Sequence, residues 1–244
     1  MNMYGLPRTI PSDVKRKVRK ACGFGCVICG LGIVQYEHVD PEYHVAREHD
    51  PEKIALLCPG CHAKVTTRQW SKARVKLAMK SPKCKQVGYA NEFFDFCNGH
   101  PHLKFGGLKI VRCDIPIQVQ GYSLFSIEPP EFEGEPFRLS GHFTDANGNV
   151  TLVIKDNEWM ASSDSWDVEV VGPCITIREG LRKVHLVLRA EPPHGLVVEK
   201  VDMLLGGYRF VANGDDLEIH TPNGSNFNFS SCYLGDGRVG VSFE

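Results

Sequence analysis

Short runs of Val, Ile, Leu and Phe separated by turn residues fill the chain from about Gly99 onward, with almost no helical periodicity. They predict a strand-rich C-terminal half. The expected strands are Leu108–Arg112, Ile115–Val119, Phe137–Phe143, Val150–Lys155, Trp166–Val171, Ile175–Arg178, Val184–Leu188, Val197–Met203, Tyr208–Val211 and Leu217–His220. Asn147-Gly148, Asn213-Gly214 and Asn223-Gly224 are hairpin-type pairs between them. Upstream the pattern differs. Ser12 is placed to cap a short basic helix through Ala21, Ser71 to cap another through Lys80 that Ser81-Pro82 stops, and Gln35 to Val39 fits a short strand. Asn98-Gly99-His100-Pro101 and Gly106-Gly107 interrupt regular structure, which divides the chain into residues 1–104 and 105–244. The expected class is α+β: a small mixed N-terminal module followed by an antiparallel, sandwich-like all-β domain.

With 244 residues, 42% of them hydrophobic, the chain can bury one or two ordinary cores. No apolar run approaches the roughly 18 to 20 residues that span a bilayer, and Met1 to Pro11 lacks a signal-peptide hydrophobic region. The expectation is a cytoplasmic protein with no membrane partner. In a reducing compartment its ten cysteines divide into four metal ligands and six free thiols, Cys22, Cys84, Cys97, Cys113, Cys174 and Cys232, expected as small buried hydrophobes.

Charge sharpens the division. Residues 1–104 hold seventeen Lys and Arg against nine Asp and Glu, and the remainder eleven against twenty. From Lys53 to Asn91 there are nine basic residues and no acidic one. Solvated helices normally mix signs to gain i,i+4 pairs, so a one-sign stretch points to phosphate. Lys64, Arg68, Lys72, Arg74, Lys76 and Lys80 are the expected nucleic-acid contacts, with DNA the expected partner. In the second half, Asp156, Glu158, Trp159, Asp164, Trp166, Asp167 and Glu169 mix tryptophans with carboxylates. Such a surface suits a small ligand or a protein, whereas the plainer expectation is core tryptophans flanked by solvated acids. An acidic domain does not itself lie on DNA.

The chemistry concentrates in two C-x2-C knuckles, Cys26-Val27-Ile28-Cys29 and Cys58-Pro59-Gly60-Cys61, which enclose Glu37-His38 and run into His62. Two such pairs match a tetrahedral structural zinc site. An acid beside a histidine, with a third polar residue directly after the last thiol, can form a second metal site.

Cys26-x2-Cys29, then Glu37-His38-Val39-Asp40-Pro41, then Leu56-Leu57-Cys58-x2-Cys61-His62 together resemble the HNH (ββα-metal) endonuclease family, over about Lys15 to Lys85. The resemblance implies metal-dependent hydrolysis of DNA phosphodiester bonds, in a bacterial restriction or phage-defence setting. It implies His38 as general base, Glu37 and His62 as ligands of a catalytic Mg²⁺ or of Mn²⁺ or Ni²⁺, and Zn²⁺ at the four cysteines. His62 has two other readings, a cap of the zinc-bound helix or a replacement for a cysteine. The family carries an asparagine where Lys53 stands; His49 or Asp50 is placed to supply its contact, and Lys53 to touch phosphate. One such centre cuts one strand, so a double-strand break would take a homodimer or two nicks. Asp156-Asn157-Glu158-Trp159 and the stretch from Trp166 to Pro173 are similar to the partner region of bacterial HNH proteins, a likeness that brings no activity. Two other classes stand beside the enzyme: a non-catalytic zinc-dependent DNA-binding protein with a degenerate HNH site, and a ligand-binding β-domain with a basic targeting arm.

Overall fold

The computed structural model describes residues 1–97 and 99–244; Asn98, in the expected boundary turn, lies outside the described residues. The class is mixed α+β, mostly strand. Two compact units divide the chain, the first formed by Met1–Glu92 with Ala161–Val170, the second by Phe93–Met160 with Val171–Glu244.

The first unit opens with α1 (Ser12–Cys22). Its apolar positions Val14, Val18 and Cys22 recur every four residues and turn into the core. Ser12 does not cap this helix: it is the first helical residue, and the Pro11 carbonyl accepts the first helical bond from Lys15 N–H at 2.9 Å. The exit is a left-handed Gly23 (φ 73°), with Phe24 N–H donating to Arg19 O at 2.9 Å. β1 (Gln35–His38) and β2 (Ile54–Leu57) form an antiparallel pair in which Glu37 faces Ala55 and His38 faces Ile54. β2 is buried throughout, and α1 packs on it. α2 (Pro59–Thr66) follows at once, then α3 (Lys72–Lys80), capped by Ser71 accepting from Arg74 N–H as its sequence predicts, then α4 (Lys83–Val87) and β3 (Tyr89–Phe93).

The return of residues 161–170 to this unit rests on α1. Arg19 forms a bidentate pair with Asp167, Nε to Oδ1 at 2.8 Å and Nη2 to Oδ2 at 2.7 Å, and reaches Glu169 at 2.9 Å. Lys20 Nζ donates to the carbonyls of Ser163, Asp164 and Ser165, and the Arg16 guanidinium lies 4.4 Å from the Trp166 ring centre. Asp167 is therefore a buried partner of a buried arginine, not the solvated acid its sequence neighbourhood suggests.

The second unit is a long meander. Its strands are β4 (His102–Phe105), β5 (Leu108–Val119), β6 (Tyr122–Glu128), β7 (Arg138–Thr144), β8 (Val150–Lys155) and β9 (Glu158–Ser162), the last running into the first unit. After β10 (Asp167–Val171) come β11 (Cys174–Gly180), β12 (Lys183–Glu191), β13 (Gly195–Leu205), β14 (Tyr208–Asn213), β15 (Asp216–His220), β16 (Asn226–Ser230) and β17 (Cys232–Phe243). Neighbours in sequence pair antiparallel from β4 to β8 and from β11 to β16; the two runs join where β13 pairs parallel with β4, and β17 lies parallel to β5. The β13–β4 pairing needs Gly195, because a Cβ there would stand 2.1 Å from the His102 carbonyl oxygen. Phe105, Phe125, Phe143 and Phe210 fill the centre with ring centres 5.4 to 6.2 Å apart, edge to face. Three of the six remaining thiols, Cys22, Cys84 and Cys113, are buried as expected; Cys174 and Cys232 are half-buried and Cys97 is exposed. Among the described residues no helix is long and apolar enough to cross a membrane.

Candidate functional site

The four knuckle cysteines converge. The first knuckle is held to β2 by Val27 N–H donating to Leu56 O at 3.0 Å and closes on itself through Gly30 N–H to Cys26 O at 2.9 Å. The packing behind it is tight: a Cβ at Gly25 would stand 2.6 Å from Gly30 O and 2.7 Å from Cys84 Sγ, so only glycine fits. The second knuckle is the first turn of α2, where Cys58 Sγ accepts from Cys61 N–H at 3.3 Å. All four Sγ atoms lie within 4.8 Å of one another, with Cys29 3.5 Å from Cys58 and 3.8 Å from Cys61. Sulfurs placed about 2.3 Å from a tetrahedral zinc are about 3.8 Å apart, so the donor set fits that ion in size and in chemistry. Hydrogen bonding from Cys29 draws the Cys26 thiol down to about 5 against the opposing effect of burial, while burial pushes Cys61 up to about 12. A divalent ion bound there would be the charge that lets all four ionise together.

The second cluster stands on the same β1–β2–α2 frame. Glu37 leaves β1 and His62 leaves the first turn of α2, and His62 Nε2 is 2.9 Å from Glu37 Oε2. The other Glu37 oxygen, Oε1, accepts from Lys72 Nζ, which also donates to His38 O at 2.8 Å. Burial lowers Lys72 below the usual lysine value. His38 is buried, its ring 5.4 Å from Tyr43, and burial followed by the neighbouring His49 lowers its pKa, which keeps the imidazole neutral near pH 7.

A relay of hydrogen bonds decides which His38 nitrogen is basic. His49 Nε2 lies 3.0 Å from the Pro7 carbonyl, which can only accept, so this nitrogen carries the proton. In the neutral ring His49 Nδ1 is then an acceptor, and His38 Nε2, 3.1 Å away, is placed to donate to it. His38 Nδ1 is left with the free lone pair. Lys53 makes no contact of this kind: its exposed ammonium pairs with Asp50 at 3.1 Å, and Asp50 also accepts from Glu52 N–H. His49 is thus the residue that reaches His38, and Asp50 is not.

A cleft of about 410 Å³, lined by Arg8, Tyr36, Glu37, His38, Tyr43 and Lys72 among others, opens over this cluster. A second groove of about 750 Å³ runs past Arg68 and Trp70 and shares Glu37 and Lys72 with the first. The expected phosphate contacts have different surroundings. Lys64 and Arg74 stack on the Trp70 ring at 4.6 and 4.1 Å. Arg68 lines the groove, Lys76 pairs with Asp40, and Lys80 is exposed at the end of α3. Lys72 alone turns into the cluster. Sequence reasoning missed Lys72 in this place, the Pro7 carbonyl, and Tyr36, whose hydroxyl accepts from Arg19 Nη1 at 3.0 Å. Only Tyr36 left a local trace, as the residue beside Glu37.

The chain was compared with family models, curated proteins and solved structures, and no match was found in any of the three.

Proposed function

We propose that the protein is a metal-dependent HNH endonuclease that hydrolyses DNA phosphodiester bonds. The observation that carries this reading is the Glu37–His62 pair on a β1–β2–α2 frame beside the four-cysteine cluster, with a hydrogen-bonded His38 lining the same cleft as Glu37. Ligand atoms about 2.1 Å from an ion and at right angles to each other are about 3 Å apart, and Glu37 Oε2 and His62 Nε2 are separated by 2.9 Å. These two residues would hold Mg²⁺, Mn²⁺ or Ni²⁺, which supplies charge neutralisation at the phosphate and at the departing 3′ oxygen. His38 Nδ1 takes the proton of the attacking water as the P–O3′ bond breaks, and His49 fixes the tautomer that leaves this nitrogen free. His49 thereby does the work of the family's asparagine, and Lys53 is left on the surface.

DNA follows the groove between α2 and α3, with Arg68 on the phosphates and the Trp70 ring carrying Lys64 and Arg74 beside it. The second unit is a sandwich-like accessory domain: Thr144 Oγ1 donates to Leu204 O at 2.7 Å and Leu204 N–H to Asp145 O at 3.0 Å, which brings the end of β7 against β13, its non-neighbour in the sheet. The test is nicking by zinc-loaded protein, with His38→Ala losing about 10² to 10⁴ in rate at unchanged zinc content and DNA affinity.

One observation favours a second reading. Lys72 occupies Glu37 as a cation, which suits a binding-only protein whose site has exchanged its ion for a lysine. Retention of DNA without cleavage under every divalent metal decides for it.

A further inference from the structure

Lys72 is the first residue of α3, a helix capped by Ser71, and Lys76 one turn on pairs with Asp40, two residues beyond β1. Its side chain is 28% exposed, and its ammonium sits on Glu37 Oε1 and the His38 carbonyl while His62 takes Glu37 Oε2. Both oxygens of the carboxylate are therefore engaged, one of them by a positive charge. A divalent ion at Glu37 meets that charge at close range. The lysine stem is four carbons long and can leave without moving the backbone. Lys72 also lines both the cleft and the adjoining groove, so a phosphodiester passing from one to the other comes within its reach.

We propose that Lys72 is a resident counter-cation of the Glu37 site that is handed over to substrate phosphate, so that divalent-ion binding and DNA binding strengthen each other. This rests on the reading of Glu37 and His62 as ion ligands. Without DNA the ammonium holds Glu37 and opposes the ion. A bound phosphodiester offers it another anion, the carboxylate is released, and the ion enters where the scissile phosphate already lies. The site loads when substrate is present, and coupling of this kind is reciprocal by linkage.

The experiment is Mn²⁺ titration of the zinc-loaded full chain, read by the loss of the free Mn²⁺ paramagnetic resonance signal, with and without a short DNA duplex, in a His38→Ala background that prevents cleavage. Lys72→Met is expected to raise Mn²⁺ affinity without DNA by on the order of tenfold or more, since a unit charge a few ångströms from the ion is removed. The protein that keeps Lys72 is expected to gain a similar factor when duplex is added, and Lys72→Met to gain little. Lys72→Arg keeps the charge and is expected to bind Mn²⁺ weakly without DNA; zinc content and melting temperature verify that each variant folds. If Lys72→Met leaves the affinity unchanged while Glu37→Ala abolishes Mn²⁺ binding, the counter-cation role is refuted and the ion site stands. If no variant takes up Mn²⁺ with or without DNA, the ion site is refuted and the proposal falls with it.

Discussion

Asp167→Ala tests the clamp on α1. Arg19 and Asp167 have side chains only 7% and 2% exposed, and two short hydrogen bonds join them. Burial opposes the Arg19 charge, but Asp167 and Tyr36 more than offset it, and its pKa stands above the ordinary arginine value. Removing Asp167 leaves Nε and Nη2 without an acceptor in a dry site. Breaking a buried pair from one side costs about 3 to 5 kcal/mol. Glu169 still holds Nη1, which puts the expectation at the lower end, near 3 kcal/mol. For a unit of about a hundred residues this lowers the melting temperature by roughly 15 °C. The assay is thermal unfolding of the first unit in the proposed zinc-loaded protein, followed by release of zinc to a chromogenic chelator. Arg19→Met with Asp167→Leu removes both charges and is expected to recover most of the loss. A shift equivalent to less than about 1 kcal/mol for Asp167→Ala, the range of an exposed ion pair, would refute the clamp and the packing of residues 161–170 on α1.

Four further outcomes are expected. Cys58→Ser, or chelation of the zinc, unfolds the first unit while leaving the β-sheet signal of the second, as circular dichroism and metal analysis will show. His49→Ala lowers nicking by about tenfold without changing zinc content, because His38 loses its tautomer partner; an unchanged rate counts against the relay. Joint replacement of Arg68, Arg74, Lys76 and Lys80 by alanine flattens the salt dependence of DNA binding, and a wild-type interaction that ignores salt contradicts the groove assignment. In the second unit, burial lowers His185 from the ordinary 6.5, so the fold favours its neutral form. Its contribution to stability is in place above pH 6.5 and is lost as the pH falls below that value; His185→Gln is expected to flatten the acid side of the stability profile.

What the sequence disclosed was local. The knuckles, the Ser71 cap and the alternation of β8 each act within a few residues, and each is found where the pattern places it. Long-range pairings left no such mark. Residues 232–243, where no strand was expected, contain Gly235, Gly237 and Gly240, yet they form β17 beside β5; a Cβ at Gly240 would stand 2.6 Å from Pro116 O, so that glycine serves close approach. β5 is one strand where two were expected, because the left-handed Arg112 (φ 47°) and polar Asp114 interrupt the alternation and not the element. At the candidate site, Glu37, His38 and His62 were expected from their place between and after the knuckles and from the family resemblance. The partners that set their chemistry, Pro7, His49 and Lys72, come from separate segments, and only His49 was near enough in sequence to be suspected.

The central claim is catalytic. Its most direct test is incubation of supercoiled plasmid with zinc-loaded protein in Mg²⁺, Mn²⁺, Co²⁺ or Ni²⁺, beside His38→Ala at equal DNA occupancy. Nicking by the wild type with at least one of these ions, abolished in His38→Ala, is the predicted result; intact plasmid under all four, with DNA still bound, would contradict it.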